Sequence, residues 1–310
     1  MTLTPDQLEQ IVARACPGGR LAGSQPLARG RWALELAGGE QLHLHLFDSP
    51  AEAATATAAL RLLRGEVDLP VPHLRAADTG GGLAGRPYAL TSALPGEPLG
   101  ALVGRLPEQA LYDLGRRLGE LAGRLHCVAP GRFGALAPEA GAQAEDERGL
   151  AQARLDADLE RCGALGLLSR QGAEAIRAWF AQMLQPVARP PALLHGGLRP
   201  ELILVRRAES GWRLSGLLGW EGALAWSPAW EHVVFLDGCA DPRLFSLRVG
   251  YGNAYDDQTR RTYEQVREPV LRPYRMLLAL RRTAEAHERG DFAAAERARN
   301  GALTLLEVRG

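Results

Sequence analysis

The side chains best placed to do chemistry gather between Leu193 and Trp230. The chain there reads LLHGGLRPELILV, then WRLSGLLGWEGALAW, then SPAWEHVVF, and offers His195, Glu201, Glu221 and Glu231 as titratable groups. A second candidate is QLHLHLF at 41–47, where His43 and His45 stand two residues apart and so share one face of a strand. That spacing can hold a metal ion, but no third ligand accompanies the pair in sequence, and packed or surface histidines are the simpler reading. A third candidate is the turn Gln25–Arg31, where Arg29 or Arg31 could touch a phosphate. Pro26 has no backbone donor, which makes the turn a poor anion cradle. Acidic residues at Asp237, Asp241, Asp256, Asp257 and Glu264 could attract a cationic small molecule. Interleaved as they are with Arg243, Arg248, Arg260 and Arg261, they read more simply as solvated positions.

Composition removes several classes of function. The 310 residues are 46% hydrophobic with formal net charge zero, enough for a full core in one large domain or two lobes. A neutral balance without a long basic run argues against nucleic acid as a partner. No apolar run reaches the ~18–20 residues of a membrane span, and no signal-peptide pattern opens the chain, so a cytoplasmic location is expected. Four scattered cysteines (Cys16, Cys127, Cys162, Cys239) show no metal spacing and are expected to be buried thiols. The chain contains no lysine, and its only asparagines are Asn253 and Asn300.

The elements that must position these residues are legible in part. Thr4-Pro5-Asp6-Gln7 has the spacing of a capping box, and Leu8, Ile11, Val12 and Ala15 recur at helical period. Strands are predicted around Leu21–Ala28, Trp32–Leu36 and Gln41–Phe47, with a hairpin at Gly38-Gly39. Ser49-Pro50-x-Glu52 opens a helix reaching about Arg64, and a strand follows at Tyr88–Leu94. Beyond Pro95-Gly96-Glu97-Pro98 the chain becomes mainly helical. Helices are predicted at Leu106–Leu125 and at about 147–165, 171–185, 228–236, 259–289 and 291–308, with Gly134–Asp146 a loop.

The pattern His195-Gly196-x-Leu198-x-Pro200-x-x-Ile203-Leu204-Val205 resembles the catalytic loop of the aminoglycoside phosphotransferase family, related to choline and homoserine kinases, whose fold is that of the protein kinases. The resemblance covers nearly the whole chain. It implies a two-lobed α/β (α+β) kinase-like fold, with a small lobe of antiparallel sheet at 1–94 and a helical lobe at 95–310, the catalytic loop lying at 193–222. Pro95–Leu99 resembles the hinge. The family carries Asp and Asn where this chain has Gly197 and Leu202. Its metal-binding Asp, in Ile-Asp-Trp-Glu, falls on Gly219 of Leu218-Gly219-Trp220-Glu221. Its lysine falls on His45, and the helix glutamate that should pair with that lysine falls near Ala56. The turn at 25–31 holds one glycine where the family has several.

The chemistry is thus missing from a recognisable frame. A positioned general base contributes ~10²–10⁴ in rate, and glycine at 197 supplies none of it. Magnesium wants oxygen ligands, and Leu202 and Gly219 have none to give. The expected function is a cytoplasmic bacterial pseudokinase: a binding or regulatory module without phosphotransfer activity, with no cofactor and no metal. Its partner would be a protein or a small-molecule ligand, neither nucleic acid nor membrane. His195, Glu201 and Glu221 are the candidate ligand-binding residues, although His195, Glu221 and Glu231 are also suited to bracing the loop. An ATP- and Mg²⁺-dependent small-molecule kinase with relocated catalytic groups is the alternative from the enzyme class. A metal-free protein keeping the acceptor pocket alone is a third.

Overall fold

The chain opens with a helix held by its own first turn. In the computed structural model, which describes residues 3–27, 30–65, 70–185, 190–209, 211–258 and 268–307, α1 (Pro5–Ala15) begins at Thr4. The Thr4 hydroxyl accepts the Gln7 N–H at 3.2 Å, and the Gln7 side chain accepts the Thr4 N–H at 3.0 Å. This reciprocal cap satisfies two donors that helix geometry leaves without partners. Leu8, Ile11 and Val12 then bury one face of the helix against a sheet.

That sheet is antiparallel throughout, in the order β1-β2-β3-β5-β4, with β1 Leu21–Pro26, β2 Arg31–Leu36, β3 Gln41–Leu46, β4 Leu74–Asp78 and β5 Tyr88–Ser92. Period-two alternation in β3 sends Leu42, Leu44 and Leu46 into the core under α1, and leaves His43 and His45 half-buried on the other face. On the side away from α1, α2 (Pro50–Leu62) packs against β4, β5 and the segment Trp220–Gly222. Its buried side chains are mostly alanine, so it approaches that segment closely. Glu52 serves the helix start as expected, accepting the Asp48 N–H at 3.0 Å.

The remaining elements are β6 (Glu97–Pro98), α3 (Leu99–Leu102), α4 (Glu108–Leu125), β7 (Phe133–Gly134), β8 (Gln143–Ala144), α5 (Glu147–Ala164), α6 (Arg170–Met183), β9 (Ala192–Leu194), β10 (Ile203–Ala208), β11 (Gly211–Leu217), β12 (Leu224–Trp226), α7 (Pro228–Gly238), α8 (Phe245–Gln258), α9 (Glu268–Glu288) and α10 (Phe292–Glu307). Two small sheets, β11-β10-β6 and β8-β7-β12-β9, carry the central stretch. One core runs from α2 through α4 to β10, β11 and α8, and another gathers α5, α6, α7, α9 and α10 around Trp226, Trp230 and Tyr274. The mixed fold, an antiparallel N-terminal sheet followed by a helical region, is the class the sequence implies. Among the described residues, no helix is long and apolar enough to cross a membrane.

Several local expectations need correction. The β4 strand was not predicted: LRAAD has little strand propensity of its own, and pairing with β5 imposes the extended form. The 134–146 loop contains the short β7–β8 pairing. Residues 259–267 of the predicted long helix lie outside the described residues. Ser227, expected from its type and from Pro228 after it to cap the helix at 228–236, forms no side-chain capping bond at the start of α7, its hydroxyl engaging Tyr274 instead. Cys162 and Cys239 are buried thiols, whereas Cys127 is exposed and Cys16 half-buried.

The largest omission is α8. Its sequence FSLRVGYGNAYDDQ carries Gly250, Gly252 and Asn253 and lacks amphipathic period, so no local pattern marks it as a helix. Packing against α4 supplies what propensity does not. A Cβ at Gly115 would come within 2.1 Å of the Leu247 carbonyl oxygen, and one at Gly250 within 2.1 Å of the Tyr112 carbonyl oxygen. The two helices meet backbone to backbone at these glycines. Gly115→Ala or Gly250→Ala is therefore expected to cost about 1–3 kcal/mol through overpacking. At roughly 2–4 °C per kcal/mol for a domain of comparable size, thermal unfolding would register the loss, while Gly252→Ala, with open space at its Cβ position, serves as the control.

Candidate functional site

Strand β9 ends at Leu194 and delivers His195 into the interior, where it is 0% exposed. Its Nε2–H donates to the Leu218 carbonyl at 2.8 Å, and its ring lies against Trp220 with centroids 4.7 Å apart. Next to it, the Gly196 N–H donates to Glu231 Oε2 at 2.9 Å. Gly196 has φ 73°, and a Cβ there would meet the Gly222 carbonyl oxygen at 2.0 Å, so only glycine lets the two loops touch. These contacts tie residues 195–197 to residues 218–222 and to α7.

Burial sets the charge of both bracing groups. It pushes the His195 imidazole down to about 4, the hydrogen bond to Leu218 opposing this and nearby Arg199 reinforcing it. It also pushes the Glu231 carboxyl up to about 7, with the backbone N–H groups of Gly196 and His195 resisting. His195 is thus a neutral donor at pH 7, shaped for holding the loop. Glu221, expected to brace the loop with them, turns the other way, facing Arg31 at 3.8 Å.

The three motif positions lie close by. Gly197 has no side chain, and the nearest atom to a Cβ built there is His195 Nδ1 at 4.0 Å, so the space for a larger residue exists and is unused. Gly219 has φ 85°, and a Cβ there would lie 2.5 Å from Leu202 Cδ1. Leu202, 5% exposed, packs its side chain against Gly219. A leucine side chain against a glycine does not fit a divalent cation, which needs several oxygens at short range. Among the described residues, no group of three or more His, Cys, Asp or Glu side chains could hold a metal ion, so the His43–His45 pair gains no third ligand.

A cleft of about 430 Å³ opens between the sheet and this loop, with Phe47, Leu60, Leu94, Leu204, Leu218 and Trp220 among its largely apolar walls. Gly96 and Pro98 of the predicted hinge stand at its edge, where β6 pairs with β10. Its polar groups are His43, His45, Thr91, Arg31, Glu201 and Glu221. Burial, helped by the charge of Arg31, pushes the His45 imidazole down to about 4, and the same causes lower His43. His45 in the lysine position therefore carries no charge at pH 7. Arg31 does: it is the cross-strand partner of His45, on β2 rather than in a turn, and reaches over the cleft to Glu221. The hairpin turn at Gly38-Gly39 contained this register, but only the fold shows that the arginine faces the cleft. Arg29 lies outside the described residues.

Glu201 also lines the cleft, exposed and 3.9 Å from Arg199. Ala56 of α2 lines it too. The acidic candidates beyond it are partly neutralised: Asp237 pairs with Arg282 at 2.6 Å and Asp241 with Arg243 at 2.6 Å. Glu264 and the side chains of Asp256 and Asp257 lie outside the described residues. Beyond Gly197 the space narrows to about 120 Å³, bounded by Arg199, Arg281 and Arg282.

A family model described as the phosphotransferase enzyme family matches residues 31–269. No curated protein matches the sequence. Among solved structures, a thermostable mutant of an aminoglycoside phosphotransferase, in ternary complex with ADP and hygromycin B, is similar in fold. It has TM-score 0.68 at 16% identity, with 97% of this chain and 98% of that one covered. A macrolide 2'-phosphotransferase from Brachybacterium faecium, solved as the apoenzyme, has TM-score 0.63 at 22% identity, with 96% and 98% covered.

Two outcomes follow from the geometry. Gly219→Asp alone must displace Leu202 and is expected to destabilise the protein, whereas Leu202→Asn with Gly219→Asp relieves the clash. A double-mutant cycle on thermal stability should then give a favourable coupling of about 1–3 kcal/mol; additive losses would mean that the two positions do not pack as described. Glu231 binds a proton in the folded state between pH 4.5 and about 7 that it does not hold when unfolded, so its contribution to stability falls as pH rises through that window. Glu231→Gln removes that dependence. The melting temperature of the variant minus that of the wild type is expected to be more positive at pH 8 than at pH 5, by roughly 2–4 °C.

Proposed function

The chain belongs to the phosphotransferase enzyme family, and within that family we propose that it is a binding or regulatory module without phosphotransfer activity. The observation carrying this reading is the contact between Leu202 and Gly219, an apolar side chain filling the ground where phosphoryl transfer would need metal. Phosphoryl transfer depends on phosphate positioning, metal ions and a group that orients the acceptor, with little other chemistry for a protein to do. Gly197 removes the orienting group and His45 is neutral, so the three requirements fail together rather than singly. The cleft remains, walled by apolar side chains and carrying Arg31 at its mouth. A cavity of this size suits a small molecule held without metal.

A second reading, ATP-dependent phosphotransfer with relocated groups, has one observation in its favour. Arg31 sits across from His45 and restores a cation beside the lysine position, with Glu201 and Glu221 also at the cleft. It lacks a replacement for Gly197, since the nearest side chain, His195, is buried and committed to Leu218.

Thermal unfolding with ATP or GTP, with and without Mg²⁺, separates the readings, together with transfer of labelled phosphate to aminoglycoside, macrolide, choline and homoserine acceptors. No transfer and no Mg²⁺-dependent stabilisation are expected. A ligand at a hundred times its dissociation constant contributes about 2.7 kcal/mol, a rise of roughly 5 °C for a chain of this size. A Mg²⁺-dependent rise of that order, or labelled product, overturns the proposal. A metal-independent rise that Arg31→Ala abolishes identifies nucleotide as the cleft's ligand.

A further inference from the structure

A second concavity lies on the far side of the hinge from the cleft, and its character is the reverse. It encloses about 400 Å³ between α4, the β10–β11 hairpin, Pro70 and Pro95, and four guanidinium groups line it, those of Arg117, Arg124, Arg206 and Arg213. Glu120 is the one carboxylate in its lining, and Glu120 also stands 3.8 Å from Arg116 outside it. Arg206 and Arg213 are direct cross-strand partners in the β10–β11 ladder. Like charges opposed in this way repel unless partners neutralise them; Arg213, like Arg124, takes part in a further interaction within the protein. Arg117 and Arg124, seven residues apart, fall on one face of α4 and bring two more positive charges to the same space.

The pattern differs from the surface around it. Many arginines elsewhere meet a carboxylate within 4 Å, as Arg86, Arg161, Arg177 and Arg282 do. Arg117 and Arg206 form no ion pair among the described residues. Ser215, 9% exposed, adds to the wall a hydroxyl with no hydrogen-bond partner among the described residues. Two unpaired guanidinium groups, those of Arg117 and Arg206, beside an unpaired hydroxyl in a pocket of small-molecule size, are the chemistry that binds phosphate oxygens.

We propose that this pocket behind the hinge, framed by Arg117, Arg124, Arg206, Arg213 and Ser215, is a binding site for a small, multiply charged phosphate-bearing anion. The site is independent of what the cleft binds. It approaches the cleft at the hinge, where the Ser215 hydroxyl lies 2.4 Å from the position a Cβ on Gly96 would take, and Gly96 lines the cleft. Its ligand needs neither a nucleobase nor a metal ion.

The test is calorimetric titration of the full chain with sodium tripolyphosphate at constant ionic strength. One-to-one binding is expected in the wild type, weakened about tenfold by Arg206→Gln or Arg117→Gln, the equivalent of one charge-assisted hydrogen bond. Arg207→Gln removes the same charge from the neighbouring position, paired with Trp212, and is expected to leave binding unchanged, as is Arg31→Ala in the cleft. Arg206→Glu places a carboxylate opposite Arg213 and is expected to abolish the anion's stabilising effect. Absence of binding overturns the proposal. So does equal weakening by Arg207→Gln, which would mean unspecific charge attraction, or by Arg31→Ala, which would place the anion in the cleft.

Discussion

The central stretch of this protein depends on two part-buried hydrogen bonds made by fully buried side chains, from His195 to the Leu218 carbonyl and from the Gly196 N–H to Glu231. Both lie in low-dielectric surroundings, where a satisfied polar contact is strong and an unsatisfied one is costly. They hold the 195–197 turn against the 218–222 turn, and α7 against both. None of the groups that hold the loop is one that would act on a substrate. The frame of a phosphoryl-transfer site can therefore keep its shape while the residues at 197, 202 and 219 change. Under the proposed reading, that separation lets a recognisable loop coexist with Gly197, Leu202 and Gly219.

The replacements are coupled to one another. Leu202 has room because Gly219 lacks a Cβ, and Gly219 in turn is enclosed by Leu202. An aspartate at 219 would meet the Leu202 side chain. On the sheet side, desolvation keeps His45 neutral, so the cleft's positive charge comes from Arg31 one strand away. The result is a cleft with a hydrophobic interior and one charged bridge, Arg31 to Glu221, across its mouth. Partly exposed ion pairs of this kind are worth little in stability, usually under about 1 kcal/mol. This bridge can open for a ligand at small cost.

Charge elsewhere is distributed unevenly despite the neutral total. With no lysine in the chain, every permanent side-chain cation is a planar guanidinium, suited to forked contacts with carboxylates and phosphates. Along α5, α6 and α9 these groups find carboxylates. Behind the hinge four of them face a lining with one carboxylate. Composition alone hides this contrast, because net charge averages over surfaces that never meet.

The sequence alone determined what depends on short range. The capping box at Thr4, the hairpin at Gly38-Gly39, the alternation of β3 and the amphipathic face of α4 rest on neighbours a few residues apart, and each appears where the pattern places it. The family likewise followed from the spacing around His195, because a loop's shape is carried by its glycines, proline and apolar anchors. Tertiary structure decided the rest. The α8 helix exists because Gly115 and Gly250 let two backbones meet, a contact between residues 135 positions apart that no local period announces. Glu221 faces Arg31 rather than the loop, and Arg31 replaces His45 as the cleft's cation, because strand register and burial set which side chains meet and which stay charged. The pairing of Leu202 with Gly219 was also out of reach, since sequence shows two substitutions and only packing shows that they fill one space.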